Sequence, residues 1–210
     1  MKKILFIALI AAGFWHWNGG RFSKPAMSAD SAGNPSVVIF TFPECGAPCT
    51  DSITSLKRRR VPFEEVELSR DDQSSENYKR WEQFGDRDFP LIVAGEEKVT
   101  GNAKADLVRL LAVNFKDEYL TDNELKYYNR HFNVAGEPQI VLYGTSWCPG
   151  CAALRKEMRE SNVNFVDIDV EKAANTKEMS ETMEIGGYPT IYVGYKRVHG
   201  VNLAAIKKVL

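Results

Sequence analysis

Two stretches of the chain carry the same succession of hydrophobic and polar positions. Each opens on a short apolar run of strand type, Val37-Val38-Ile39-Phe40-Thr41-Phe42 in the first and Ile140-Val141-Leu142-Tyr143 in the second. Each run leads into a pair of cysteines and then into a helical stretch, over 51–60 and over 152–161. Next come Val61-Pro62-Phe63-Glu64-Glu65-Val66-Glu67-Leu68 and Val163-Asn164-Phe165-Val166-Asp167-Ile168-Asp169-Val170. Apolar and polar residues alternate in both, as in a strand with one wet face. A second helix follows each. In the first copy Ser74 or Ser75 is the cap candidate, Tyr78 and Trp81 share a face, and Gly85 ends it. In the second, Asn175 is the cap candidate, Met179 and Met183 share a face as core, and Gly186-Gly187 closes it.

The ends match as well. Pro90-Leu91-Ile92-Val93-Ala94-Gly95 aligns with Pro189-Thr190-Ile191-Tyr192-Val193-Gly194, and Gly101 and Gly200 follow at the same interval. Both read as a hairpin turned at the first glycine, then a last helix over 103–111 and 203–210 with Asn102 and Asn202 as caps. Strand, cysteine loop, helix and strand form a right-handed parallel crossover, and the hairpin adds antiparallel strands. The predicted class is α/β, with two tandem domains, each a four-stranded mixed sheet flanked by helices. The domains cover 36–111 and 139–210. Between them, over 112–138, Thr121-Asp122-Asn123-Glu124 fits a capping box, and Leu125, Tyr128 and Phe132 recur at helical spacing. This linker helix is expected to dock on one domain.

The N-terminus departs from the repeat. Lys2 and Lys3 precede an apolar run from Ile4 to Phe14, with Trp15 and Trp17 after it. That is the layout of a signal peptide or short membrane anchor over 1–17. The run falls short of the roughly 18 residues a confident spanning helix needs. A Gly-, Ser-, Ala-, Asn- and Pro-rich tether follows over 18–35. The expected location is outside the cytoplasm, in the periplasm or on the outer face of the membrane.

Composition narrows the partners. With 27 basic and 28 acidic residues, the net charge of −1 gives no field for nucleic acid. The basic run Lys57-Arg58-Arg59-Arg60 reads as the solvated end of a helix, where cations suit the dipole. The four cysteines form two close pairs, Cys45 with Cys49 and Cys148 with Cys151, which points to redox or metal chemistry.

Thiol–disulfide exchange needs a thiolate attacker and a reachable second sulfur. Cys148 is expected at a helix N-terminus, where free N–H groups and the dipole favour a thiolate. Cys151 lies one turn further in, placed to resolve a mixed disulfide. Pro149 suits the first turn because its missing N–H had no partner there. Trp147 is expected to cover the site. Cys45 and Cys49, four apart, would share one face of a helix. That pair is open to three readings: a second redox dithiol, a structural disulfide, or a metal site. The three histidines, His16, His131 and His199, are not near Cys45 in the predicted order, and His131 and His199 read as solvated or packing residues. No metal ligand is assigned.

Trp147-Cys148-Pro149-Gly150-Cys151 after a strand, with Tyr188-Pro189-Thr190 before a hairpin, resembles the glutaredoxin branch of the thioredoxin superfamily across 139–210. The first copy looks like a divergent relative, with Cys45-Gly46-Ala47-Pro48-Cys49 and Phe89-Pro90 as counterparts. The resemblance implies a thiol–disulfide oxidoreductase in which Cys148 attacks and Cys151 resolves. It implies a cis-proline at Pro189 facing the dithiol, with Tyr188, Pro189 and Thr190, and likewise Phe89 and Pro90, at substrate-binding positions. It implies protein disulfides as substrates and a thiol electron donor. Two departures bear on glutathione. His199-Gly200-Val201-Asn202 carries no acidic residue where glutathione-using relatives have one, and Tyr143-Gly144-Thr145-Ser146 offers no lysine. No dissociable cofactor is expected. Rival readings are a thioredoxin-fold binding or copper-handling module and a glutathione-dependent glutaredoxin.

Overall fold

The computed structural model describes residues 33–34 and 36–210. Residues 1–17, expected to be a signal peptide or short anchor, and nearly all of the expected tether over 18–35 lie outside the described residues. No helix among the described residues is long and apolar enough to cross a membrane.

The first unit runs β1 (Val37–Thr41), α1 (Ala47–Arg58), β2 (Phe63–Glu67), α2 (Glu76–Glu82), β3 (Leu91–Ala94), β4 (Glu97–Thr100) and α3 (Lys104–Phe115). A linker helix α4 (Asp122–Tyr128) leads into the second unit. That unit runs β5 (Ile140–Gly144), α5 (Pro149–Glu160), β6 (Val166–Asp169), α6 (Thr176–Thr182), β7 (Thr190–Val193), β8 (Lys196–Arg197) and α7 (Leu203–Lys207). The sheet orders are β2-β1-β3-β4 and β6-β5-β7-β8, so the topology repeats. In each, the first strand pairs parallel with the second and antiparallel with the third. The unbroken apolar runs are the central strands β1 and β5, buried at every position because helices cover both faces. The hairpins turn at Gly95 and Gly194, both at positive φ, where glycine carries no Cβ penalty.

Local chemistry moved several boundaries. Both first helices begin at a proline-containing first turn, so α1 starts at Ala47 and α5 at Pro149, earlier than periodicity alone placed them. Pro48 and Pro149 have no N–H to leave unpaired there. Cys49 is therefore inside α1, whereas Cys45 sits in a separate 3-10 turn (Pro43–Cys45), with Gly46 at φ 62 between them. The two cysteines do not share a helix face, contrary to the expectation from their spacing. Helix α3 runs to Phe115, past the expected end of the first domain.

Ser75 and Asn202 cap as expected, accepting from Tyr78 N at 3.2 Å and Ala205 N at 2.8 Å. Asn102 and Asn175 do not. The N-terminal amides of α3, Lys104 N and Ala105 N, donate instead to the Glu184 carboxylate of the second unit, at 3.1 and 2.9 Å. A full charge satisfies two donors and the dipole better than an amide does. Asn102 turns away and donates to Asp51 Oδ2 at 3.3 Å. Asn175 occupies the cap position of α6 in a left-handed conformation, with no side-chain cap bond.

The units share a core. One face of α3, with Leu107, Leu110 and Leu111, packs on the first sheet. Its other face, with Ala105, Val108 and Ala112, joins a cluster containing Tyr128 of α4 and Val141 and Tyr192 of the second sheet. Two alanines on that stripe let the backbone come close. The linker helix thus packs into a core common to both units rather than onto one of them.

Arg59, expected to be solvated, and His131, expected to be solvated or packing, are both buried. Arg59 is not solvated. Its guanidinium is paired bidentately with Glu124, Nη1 to Oε2 and Nη2 to Oε1, both at 2.6 Å, and Nη1 also donates to Tyr119 O at 2.9 Å. Glu124 keeps its capping-box role as well, accepting from Thr121 N at 2.9 Å.

His131 packs, as one reading had it, but is fully buried rather than solvated. Nδ1 lies 2.7 Å from Gly194 O and Nε2 lies 2.8 Å from Tyr143 Oη. A carbonyl can only accept, so Nδ1 carries the proton and Nε2 accepts from the tyrosine. Burial disfavours the imidazolium and lowers the pKa from 6.5 to about 4. The unfolded chain therefore binds the proton first as pH falls. Stability from this residue is full above about 6.5 and declines as pH falls from there towards 4, by about 3 kcal/mol. Urea unfolding at pH 7 and pH 4.5 should show this loss, and a His131→Phe variant should show a flatter dependence. An equal slope in both would contradict it.

Candidate functional site

In the second unit the central strand β5 delivers the chain to a short loop, Thr145 to Trp147, at its C-terminal end. Cys148 is the N-cap of α5, and its Sγ accepts the Cys151 N–H at 3.1 Å. The two are joined as a disulfide with Cα atoms 5.3 Å apart. Cys148 is 5% exposed and Cys151 is wholly buried, so the first cysteine is the nearer of the two to solvent.

Several neighbours fix the loop. Arg155 of α5 forms a bidentate pair with Asp167 of β6, at 2.8 and 3.0 Å, and donates to Thr145 O at 3.1 Å. Gly144 gives the buried sulfur its space: a Cβ there would meet Cys151 Sγ at 2.9 Å and Arg155 Nη2 and Leu142 Cδ2 at 3.1 Å. Gly144→Ala should therefore force the loop to shift and cost about 1–3 kcal/mol. Urea unfolding of the oxidised protein measures this; an unchanged midpoint would contradict the packing.

Trp147 is 64% exposed yet held in place. Its indole N–H donates to Glu171 Oε1 at 2.9 Å, and its ring meets Tyr188 edge to face at 6.0 Å. Glu171 is itself set by a turn in which its N–H donates to Asp169 Oδ1 at 3.2 Å. The Tyr188–Pro189 bond is cis, and Pro189 Cδ lies 3.5 Å from where a Cβ on Gly150 would sit. Pro189 thus lies beside the first turn of α5, and Tyr188 beside Trp147. Thr190 points inward, its hydroxyl donating to Gly187 O at 2.8 Å, which leaves only its backbone for a partner.

The first unit repeats the layout with differences. Cys45 and Cys49 are disulfide-bonded with Cα atoms 5.7 Å apart. Cys45 is half-buried and Cys49 buried. The Phe89–Pro90 bond is cis, at the place of Tyr188–Pro189. Phe89 belongs to an aromatic cluster, stacked on Trp81 at 5.3 Å and edge-on to Phe42 at 4.6 Å, and Pro90 is buried beside it. His131 is bonded within the second unit, and His199 lies beyond β8 of that unit. Among the described residues no group of three or more His, Cys, Asp or Glu side chains is arranged to hold a metal.

Gly144, Arg155, Asp167 and Glu171 went unnoticed in the sequence. Gly144 had a visible signal, a glycine closing a buried strand just before the cysteine loop. The Trp147–Glu171 bond spans 24 positions and had none.

Comparison with known proteins bears on the second unit. The Glutaredoxin family model matches residues 140–198. A curated relative, an uncharacterized glutaredoxin-like 8.6 kDa protein in the rubredoxin operon of Clostridium pasteurianum, is 29% identical over 72 residues, 34% of this chain and 96% of that protein. Solved structures similar to the chain include glutaredoxin C1 from Populus tremula x tremuloides in its holo form. It is 12% identical, over 41% of this chain and 85% of that one, with a TM-score of 0.33. Another is the glutaredoxin of Archaeoglobus fulgidus, 27% identical over 36% of this chain and 91% of that one, with a TM-score of 0.28. The second unit, with its dithiol at the cap of α5, is similar to glutaredoxins over residues 140–198, and the first unit repeats its sheet topology.

Proposed function

We propose that the protein is a thiol–disulfide oxidoreductase that acts on protein disulfides through Cys148 and Cys151. One observation carries this reading: Cys148 caps α5 with its sulfur on the Cys151 N–H, and Cys151 lies sealed behind it. A charged sulfur at that position gains a charge-assisted hydrogen bond and the favourable end of the dipole. Cysteines in such motifs have pKa values in the range of about 3.5–7.5, against about 8.5 when free.

The chemistry is covalent exchange. The Cys148 thiolate attacks one sulfur of a substrate disulfide, the S–S bond breaks, and the substrate's other sulfur leaves as a thiolate. Cys151 then attacks Cys148, releasing the second substrate thiol and closing the internal disulfide. Two electrons pass to the substrate, and a thiol donor restores the dithiol. Exposed Trp147 and the backbone at Tyr188 offer an extended peptide a ring face and a strand edge.

Protein disulfides fit better than glutathione. The side chain of Asn202, in the segment where an acidic residue would be wanted, is already committed to capping α7. The reading requires no dissociable cofactor. With the N-terminal segment acting as a signal or anchor, the protein would work in the cell envelope.

Insulin reduction in dithiothreitol tests the reading. The protein should accelerate it well above the dithiothreitol background, and should be a poor catalyst of glutathione-dependent reduction of hydroxyethyl disulfide. No acceleration of insulin reduction would contradict the proposed activity. Efficient glutathione turnover would contradict the substrate preference.

A further inference from the structure

The two cysteine pairs sit at the same place in repeated units, but their first sulfurs have different surroundings. Cys148 is the cap residue of a twelve-residue helix, and an N–H points at its sulfur. Cys45 is one residue too early for that. Gly46 is the cap of α1, at φ 62, and Cys45 belongs to the 3-10 turn before it. Among the described residues no hydrogen bond reaches its sulfur. Neighbouring charge differs in the same sense. Cys45 directly follows Glu44, with Asp51 in the helix beyond. Cys148 lies between Trp147 and Pro149; the first turns of α1 and α5 both lack acidic residues, and the nearby Glu171 carboxylate is engaged by the Trp147 indole, so the contrast in charge rests on Glu44.

We infer that the Cys45–Cys49 pair is the stronger reductant and the Cys148–Cys151 pair the acceptor, so that electrons run from the first unit to the second. The inference rests on the proposed oxidoreductase reading and adds a direction to it. A helix cap and a directed N–H stabilise a thiolate, hence the reduced form, and a more stable reduced form means a higher reduction potential. A carboxylate next to Cys45 opposes the thiolate there. Burial of Cys148 works against its charge, but in C-x-x-C motifs at helix N-termini the pKa still falls below the free value.

The transfer is balanced. The Cys45 thiolate attacks Cys148, breaking the Cys148–Cys151 bond, forming a Cys45–Cys148 bond and freeing the Cys151 thiolate. Cys49 then attacks Cys45, closing Cys45–Cys49 and freeing Cys148. Two electrons move to the second pair, and the two thiol protons pass through solvent to the new thiols. A small thiol or dithiol carrier re-reduces the first pair. The order is set by each loop, so it holds for exchange within one chain or between two copies.

Two full-length variants isolate the pairs: Cys45→Ser with Cys49→Ser, and Cys148→Ser with Cys151→Ser. Each is equilibrated in graded dithiothreitol buffers, trapped by alkylation and read by mass spectrometry. The Cys148–Cys151 pair should be at least tenfold easier to reduce, a potential about 30 mV less negative. Equal potentials or the reverse order would overturn the inference while leaving the activity of the second unit intact. If neither pair exchanges with the buffer, the oxidoreductase reading itself falls. Glu44→Gln, made with the first pair alone, should shift that pair towards easier reduction. No shift would overturn the part assigned to charge.

Discussion

Cys148→Ser, made in the Cys45→Ser/Cys49→Ser background, is expected to lower catalysed insulin reduction by about a thousandfold or more, to the level of dithiothreitol alone. The background matters because an active first pair would hide the loss. Removal of a nucleophile that acts as one unit with its partner removes nearly all of the chemical acceleration, leaving what binding alone provides. A serine hydroxyl at the cap still accepts the Cys151 N–H, and serine is a favoured cap residue, so α5 should stay intact. Thermal unfolding under reducing conditions should be close to that of the parent, which separates lost chemistry from lost fold. Cys151→Ser should behave differently: the first attack survives and only the release step is lost. If both variants kept the parent rate, the assignment of the dithiol would be wrong.

The largest structural effect is expected at Arg59. Arg59→Ala leaves the buried Glu124 carboxylate without its bidentate partner, with only Thr121 N and the more distant Lys104 Nζ at 3.6 Å. Breaking a buried pair from one side costs about 3–5 kcal/mol. For a chain of this size that is a fall in Tm of roughly 6–20 °C. The effect crosses the molecule, since Arg59 ends the first helix of one unit and Glu124 begins the linker to the other. Burial by itself would raise the Glu124 pKa, but the Arg59 guanidinium outweighs it and holds the carboxyl below its ordinary range. The folded pKa is depressed, so this stabilisation is present above the ordinary carboxylate range and is lost as pH falls through the depressed value. Arg59→Met combined with Glu124→Leu should recover part of the loss, because no uncompensated charge remains. A double variant less stable than Arg59→Ala would contradict this account of the pair.

Much of the fold was legible because both units repeat one pattern. The buried central strands, the half-wet β2, the hairpins with their glycines and the paired cysteine loops all follow from local periodicity and turn chemistry. The sequence misled where a local rule competed with a distant partner. Arg59 looked like a solvated cation at a helix end, and its carboxylate lies 65 positions away. Asn102 was a sound cap in isolation, yet Glu184 from the other unit displaced it. The α3 stripe of Ala105, Val108 and Ala112 could be read as a helical face, but nothing local said that the second sheet covers it. The position of Cys45 was within reach. Pro149 correctly marked the start of its helix, and the same argument applied to Pro48 would have begun α1 at Ala47 and left Cys45 outside. At the site, the order of the sulfurs was legible from spacing and proline, whereas the Glu171 anchor of Trp147 was not.

The central claim is that Cys148 attacks a protein disulfide and Cys151 resolves the adduct. It is tested most directly by incubating Cys151→Ser, in the Cys45→Ser/Cys49→Ser background, with oxidised insulin and analysing the products by non-reducing electrophoresis and peptide mass spectrometry. The account predicts a stable, reductant-sensitive adduct in which the insulin cysteine is linked to Cys148, absent when Cys148 is also serine. A failure to form that adduct while free Cys148 remains alkylatable would contradict it.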